Sequence, residues 1–304
     1  MIGSSHVCDL LALGPSLDGL GPYRSAPRRR SSEKYWLMKK PRLPGLATFA
    51  FACLVILLGF TEARAAGGIG IVLLHGKTGM PGQHAKLAAA LTAAGYAVEM
   101  PKMCWSRDRI FDKPYAACIG ELDAAVARLR AGGATLIVVG GTSQGAVVAI
   151  DYGATHGGLN GIIAMSPAAD PTDLSKYPNF AAAVDQARAL AKAGKGNEVT
   201  DLDDIVAGGQ YITVKSTPDA YLSFHDPQNP IATIRNLTAQ DLPRLKAPLL
   251  WVAGTKDPSQ ANAAKTFQAA PENRQSRYVT VDAGHAGVPD VAGETVTAWL
   301  KTLQ

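Results

Sequence analysis

The sequence predicts an α/β protein built on a mostly parallel sheet with helices on both faces, and three observations carry that reading. From residue 67 onward, apolar runs of strand length alternate with longer segments of helical pattern, the order that produces a parallel sheet covered by its own crossover helices. Residues 134–150, ATLIVVGGTSQGAVVAI, pass from a strand straight into a helix through Gly141-Thr142-Ser143-Gln144-Gly145. The residue types that carry chemistry stand just past strand ends, where functional groups of such sheets collect.

Taken in order, residues 69–74 form an apolar strand. Residues 83–94 read as a helix stopped at Gly95, and 97–100 as a strand closed by Pro101. Residues 115–131 place Ile119, Leu122, Ala125, Val126 and Leu129 on one helical face and Glu121, Arg128 and Arg130 on the other. The β-branched run 136–139 is a buried strand, and the next helix starts at Gln144. Three more strands follow, at 161–165, 249–253 and 278–281. Between them, residues 168–247 break the alternation, which marks a small cap inserted over the strand ends. Within it 180–193 is helical in pattern, ended by Gly194.

A strand-to-helix turn this sharp forces Ser143 into a strained backbone conformation with its side chain above the sheet edge. A Cβ at Gly141 or Gly145 would collide with neighbouring backbone, so both glycines are required by space. The plainer alternative for Ser143 is a turn serine capping the helix.

The formal charge of +5 belongs to the start of the chain. Residues 1–65 hold 9 Lys and Arg against 4 Asp and Glu, leaving 21 of each in the remainder. The folded part therefore lacks the basic footprint of a nucleic-acid or anionic-membrane binder. Residues 1–37 show no sustained periodicity and are read as a non-structural extension or a misassigned start, with translation expected from Met38. Residues 38–65 have the layout of a secretory signal peptide: Met38-Lys39-Lys40-Pro41-Arg42, an apolar run over 46–60, and the cleavage site Ala63-Arg64-Ala65. That run is shorter than the ~20 residues of a spanning helix, so no stable membrane anchor is expected after cleavage. Export to the periplasm or beyond would place Cys104 and Cys118 in an oxidising compartment. They close a loop for which a disulfide typically contributes ~3 kcal/mol; two buried thiols are the alternative. The domain proper spans residues 66–304, with the cap at about 168–247, a size suited to one core.

Four strand ends carry something: His75-Gly76-Lys77-Thr78-Gly79, Ser143, Gly254-Thr255-Lys256-Asp257-Pro258, and Asp282-Ala283-Gly284-His285-Ala286-Gly287. Nucleophile, acid and base thus follow the order Ser143, Asp257, His285. On these motifs, the chain from about residue 67 to 304 resembles the α/β-hydrolases, and within them exported bacterial serine hydrolases of esterase and lipase type. The resemblance implies Ser143 as nucleophile, Asp257 as acid, His285 as base, and the main-chain N–H groups of Lys77 and Gln144 as the oxyanion hole. Little chain precedes the strand at 69, so the two antiparallel strands that usually open this fold are expected to be missing. Thr142 stands where many members carry histidine.

The chemistry explains the residue types. A serine hydroxyl is a weak nucleophile, so a histidine must take its proton during attack on a carbonyl carbon, and a carboxylate must hold that imidazole in the right tautomer. Each partner has a plainer reading, Asp257 as a cap of the following turn and His285 as a loop histidine. His75 is expected to be a structural hydrogen-bonding residue, and His84 and His156 surface residues. Trp105, Tyr221, Phe224 and His225 are candidates for a substrate pocket, with ordinary packing as the preferred reading of the cap residues among them. No metal site or cofactor is expected, since no ligand-type residues have suitable spacing. Gly76-Lys77-Thr78 imitates the tail of a phosphate-binding loop, but that loop needs glycine at position 71, which is Ile71. The expected activity is cleavage of a small-molecule carboxylic ester, thioester or amide; the alternative is a catalytically silent binding protein of the cell envelope.

Overall fold

The computed structural model describes residues 68–168, 177–206, 209–226, 228 and 240–304. The expected extension and signal peptide, and parts of the expected cap, lie outside them.

Strand β1, Ile69–Leu74, shows how the sequence builds two layers. Ile69, Ile71 and Leu73 enter one apolar cluster, and Val72 and Leu74 enter another on the opposite face. All six residues of the strand are buried, as a parallel strand covered on both faces requires. The others in the sheet are β2 (Ala97–Glu99), β3 (Leu136–Ser143), β4 (Gly161–Pro167), β7 (Leu249–Gly254) and β8 (Arg277–Val281), in the order β2-β1-β3-β4-β7-β8, every neighbouring pair parallel. No strand precedes β1 among the described residues.

Helices α2 (Tyr115–Ala131) and α3 (Gln144–Thr155) cover one face of the sheet. Helices α1 (Ala85–Ala93), α7 (Val288–Val291) and α8 (Gly293–Leu300) cover the other. A short α6, Ala263–Phe267, follows β7. The predicted helix at 83–94 is split, with residues Pro81–His84 forming a 3-10 turn before α1. Proline at the head of that turn is compatible with a first helical position but supplies no N–H. Among the described residues no helix is long and apolar enough to cross a membrane.

The insertion between β4 and β7 contains helix α4 (Pro178–Lys192), an antiparallel hairpin of β5 (Thr200–Val206) and β6 (Gln210–Ser216), and helix α5 (Pro218–His225). Helix α4 packs against β5 and α5. Only α4 was legible as an element. The inward side of the hairpin holds Leu202 and Val214 but also Asp204 and Ser216, all buried, and those polar insertions hide the period-two alternation of its strands. Helix α5 is capped by Thr217, whose hydroxyl accepts a hydrogen bond from Ala220 N–H at 3.3 Å.

Candidate active site

Ser143 ends β3 and Gln144 begins α3, so the serine occupies the junction itself, at φ 55° and ψ −120°. A non-glycine residue held there typically stores about 1–3 kcal/mol of strain, which the surroundings must impose. A Cβ on Gly145 would lie 2.0 Å from the Leu74 carbonyl oxygen, and one on Gly141 would lie 2.5 Å from the same atom. Backbone cannot yield as a flexible side chain can, so only glycine fits either position. Thr142 is buried beneath the turn and shares a hydrogen bond of 2.9 Å with His84 Nε2. His84 is fully buried, a correction to its expected surface position. Burial, with a smaller effect of His75, pulls its pKa down to about 4, and the neutral ring fits an apolar layer beside α1.

The loop after β1 approaches the same turn. A Cβ on Gly76 would come within 3.3 Å of Ser143 Cβ. Its backbone is tied on both sides. Gly76 N–H donates to Gln83 Oε1 at 2.8 Å, Gly79 N–H to Gly76 O at 2.9 Å, and Thr78 N–H to Trp105 O at 2.9 Å. His75 braces it from below: Nδ1–H donates to Gly76 O at 2.9 Å, and Nε2 accepts from Met103 N–H at 3.1 Å. That pairing fixes a neutral tautomer, and burial lowers the pKa of the ring.

On the other side of the turn, Asp257 follows β7 and His285 follows β8. His285 Nδ1 lies 2.7 Å from Asp257 Oδ2. Asp257 Oδ1 accepts from Ser259 N–H at 3.0 Å and from Ser259 Oγ–H at 2.6 Å. Burial opposes ionisation of Asp257, yet the hydrogen bonds from Ser259 and His285 prevail and hold its pKa below the usual value. His285 Nε2 is buried and has no hydrogen-bond partner among the described residues. It is therefore not bonded to Ser143, although the turn His285–Gly287 packs against β3, the strand that Ser143 ends. Unaligned contacts of this kind in an unliganded site often tighten only when substrate is bound.

The structure buries the four pocket candidates. Trp105, Tyr221 and Phe224 are fully buried and His225 is 3% exposed. Phe224 meets Phe111 with centroids 4.7 Å apart and Tyr115 at 5.4 Å, while Tyr221 meets His225 at 4.6 Å. These rings pack against one another between α2 and the cap, as the preferred reading of the sequence has them. Trp105 supports the β1 loop, its indole N–H donating to His75 O at 2.8 Å. Cys104 and Cys118 are joined by a disulfide, Cα atoms 5.9 Å apart, which ties the segment carrying Trp105 to α2. Among the described residues no group of three or more His, Cys, Asp or Glu is arranged to hold a metal ion.

A parallel sheet with a strained serine at the β3–α3 junction and an Asp–His pair past β7 and β8 is matched by a family model. The model of the alpha/beta hydrolase family matches residues 71–298. The chain belongs to that family. No curated protein matches this α/β-hydrolase in sequence. Among solved structures it is similar to that described with LipS and LipT, two metagenome-derived lipolytic enzymes, at 18% identity and a TM-score of 0.54, covering 77% of this chain and 93% of that one. A thermophilic esterase from Thermogutta terrifontis gives 17% identity and a TM-score of 0.52, over 77% and 90% of the two chains. A monoacylglycerol lipase from Paleococcus ferrophilus gives 18% and 0.52, over 77% and 95%. At such identities the likeness is one of fold.

Two groups of this α/β-hydrolase escaped sequence reasoning. Ser259, two residues after Asp257, shares in orienting the carboxylate; the Asp-Pro-Ser run signals a capped turn and so gave a clue. The side chain of Lys77 reaches Asp204 in the cap at 2.8 Å. Nothing local announces that contact between residues 127 positions apart.

Proposed function

We propose that this α/β-hydrolase is an exported serine hydrolase that cleaves a small-molecule carboxylic ester through an acyl-enzyme. The observation that carries the reading is the orientation of His285. Nδ1–H is committed to Asp257 at 2.7 Å, which leaves Nε2 as the basic nitrogen, buried in the turn against the strand that ends at Ser143. In this reading Nε2 takes the Ser143 hydroxyl proton as Oγ attacks the carbonyl carbon. Asp257 stabilises the imidazolium that forms. The oxyanion of the tetrahedral intermediate is met by the N–H groups of Gln144, at the head of α3, and of Lys77, in the loop that adjoins Ser143. The same proton then passes from Nε2 to the leaving alkoxide as the acyl-enzyme forms. Water repeats the sequence to release the acid and restore Ser143.

An ester substrate is supported by the lipolytic enzymes and esterase that share the fold, which is analogy. Export is supported by the signal-peptide layout of residues 38–65 and by the Cys104–Cys118 bridge. The test is hydrolysis of p-nitrophenyl esters of graded acyl length by the wild type, Ser143→Ala and His285→Ala. Turnover by the wild type, with both variants down by about a thousandfold or more, is expected; equal turnover by all three would refute the assignment.

A further inference from the structure

Lys77 has two ends, and they face different parts of the molecule. Its main-chain N–H belongs to the loop against Ser143. Its ammonium is drawn into the closed space under the cap, where Nζ donates to Asp204 Oδ1 at 2.8 Å and to Ile205 O at 3.0 Å, and lies 5.8 Å from the Phe111 ring centroid. The side chain of Asp204 is wholly buried and that of Lys77 is 11% exposed. Asp204 Oδ1 also accepts Ile205 N–H at 2.7 Å, which anchors the carboxylate to its own strand. Burial disfavours its ionisation, but the Lys77 ammonium and the adjoining His225 hold it well below the usual carboxylate range. His225 Nε2 lies 3.5 Å from Asp204 Oδ2, and neither atom has a hydrogen-bond partner among the described residues. Phe111, under the ammonium, and Ile110 before it both hold positive φ, and Ser216 Oγ–H donates to Phe111 O at 2.9 Å. This corner is thus held by several independent restraints.

A buried ion pair is a poor source of stability, because desolvating two charges offsets their attraction and an apolar pair of similar volume is often as good. Its value lies in geometry. We propose that Asp204 is a positioning residue for the oxyanion hole: from the cap hairpin it holds Lys77 by its ammonium and so fixes the peptide whose N–H meets the developing oxyanion. The cap is then a part of the catalytic framework, fastened to the β1 loop by the Lys77–Asp204 pair. This rests on the serine-hydrolase reading above.

The experiment measures inactivation of the purified protein by a fluorophosphonate, resolving the limiting rate from the concentration dependence, alongside thermal unfolding. The wild type is compared with Ser143→Ala, Asp204→Asn and the apolar double variant Lys77→Met/Asp204→Leu. The double variant should unfold within a few degrees of the wild type while its limiting rate falls about 10- to 100-fold, a part of the loss that deleting an oxyanion donor brings, at a half-saturating concentration unchanged within about threefold. A merely structural pair would let that variant recover rate together with stability, and this outcome overturns the proposal. Should the double variant not fold, the near-isosteric Asp204→Asn decides alone: a limiting rate down about threefold or more supports the tether, and an unchanged rate overturns it. A wild type that is never labelled refutes the serine-hydrolase reading itself, a result distinct from labelling that is indifferent to Asp204.

Discussion

Asp257 divides its carboxylate between two tasks, one of them performed with His285. Oδ2 meets His285 Nδ1 at 2.7 Å, while Oδ1 caps the turn Pro258–Gln260 through Ser259 N–H. The capping role and the triad role that the sequence allows for Asp257 are therefore compatible, because they use different oxygens. The capped turn supplies the rigidity that a histidine-orienting carboxylate needs, and Gln260 adds to it by donating to Pro167 O at 2.8 Å and accepting from the Trp251 indole at 3.2 Å.

Asp257→Asn should fold and lose activity. An amide keeps the shape but stabilises no imidazolium and favours the wrong tautomer, so kcat/KM on any ester the protein turns over should fall by about a thousandfold or more. Ser259→Ala removes only one of the hydrogen bonds to the carboxylate and should lower it by about tenfold or less. Asp226, the carboxylate that follows α5, is held by Arg188 at 2.5 Å and is not expected to replace Asp257, so little residual activity is expected in Asp257→Asn. Steady-state kinetics of the two variants give the comparison.

Gly145→Ala should be far more damaging than a glycine replacement in a surface loop. The added methyl would meet Leu74 O at 2.0 Å, and the conflict is between backbone segments of two adjacent elements. A loss of about 3 kcal/mol or more, or failure to fold, is expected, read from chemical denaturation. Gly133→Ala is the control: its Cβ would meet nothing within 4 Å, but its φ of 90° leaves a conformational penalty alone, on the order of 1 kcal/mol.

The legible parts of the molecule were those decided locally. Strand β1, helix α2 and the Ser143 turn follow from apolar runs, an amphipathic face and paired glycines within a few residues of one another. The cap was visible only as an interruption, because Asp204 and Ser216 break the pattern of its hairpin. His84 was misplaced for a similar reason. It lies among residues that read as the exposed start of a helix, and its hydrogen-bond partner Thr142 is 58 positions away. Polar groups buried by distant partners leave no periodic trace in the chain.

Asp241 should give stability a distinctive pH dependence. It is 2% exposed, and burial together with the Asp151 carboxylate pushes its pKa up to about 7, with Arg244 opposing. Between the ordinary carboxylate range and pH 7 the folded chain binds more protons here than the unfolded chain, so this group's contribution to stability is full at low pH and is lost as pH rises through 7. His84, lowered to about 4, contributes the opposite slope between about pH 4 and 6.5. The clean measurement is thus the stability difference between wild type and Asp241→Asn, which should shift against the wild type as pH is raised from 5 to 8. A difference independent of pH would contradict the assignment.

Reducing the Cys104–Cys118 bridge, or replacing both cysteines by alanine, should lower stability by about 3 kcal/mol through the freed loop of the unfolded chain. The bridged segment carries Trp105, which supports the β1 loop through His75 and Thr78, so activity should fall at temperatures where the fold persists. Thermal unfolding and ester hydrolysis with and without reductant separate the two effects.

The most direct test of the catalytic assignment is to treat the purified protein with a fluorophosphonate and locate the adduct by peptide mass, with Ser143→Ala and His285→Ala alongside. A single adduct on Ser143, absent from Ser143→Ala and formed at least about a hundredfold more slowly in His285→Ala, is the expected result. A folded wild type that takes no label, or that takes it on another residue, would contradict the claim that Ser143 is an activated nucleophile.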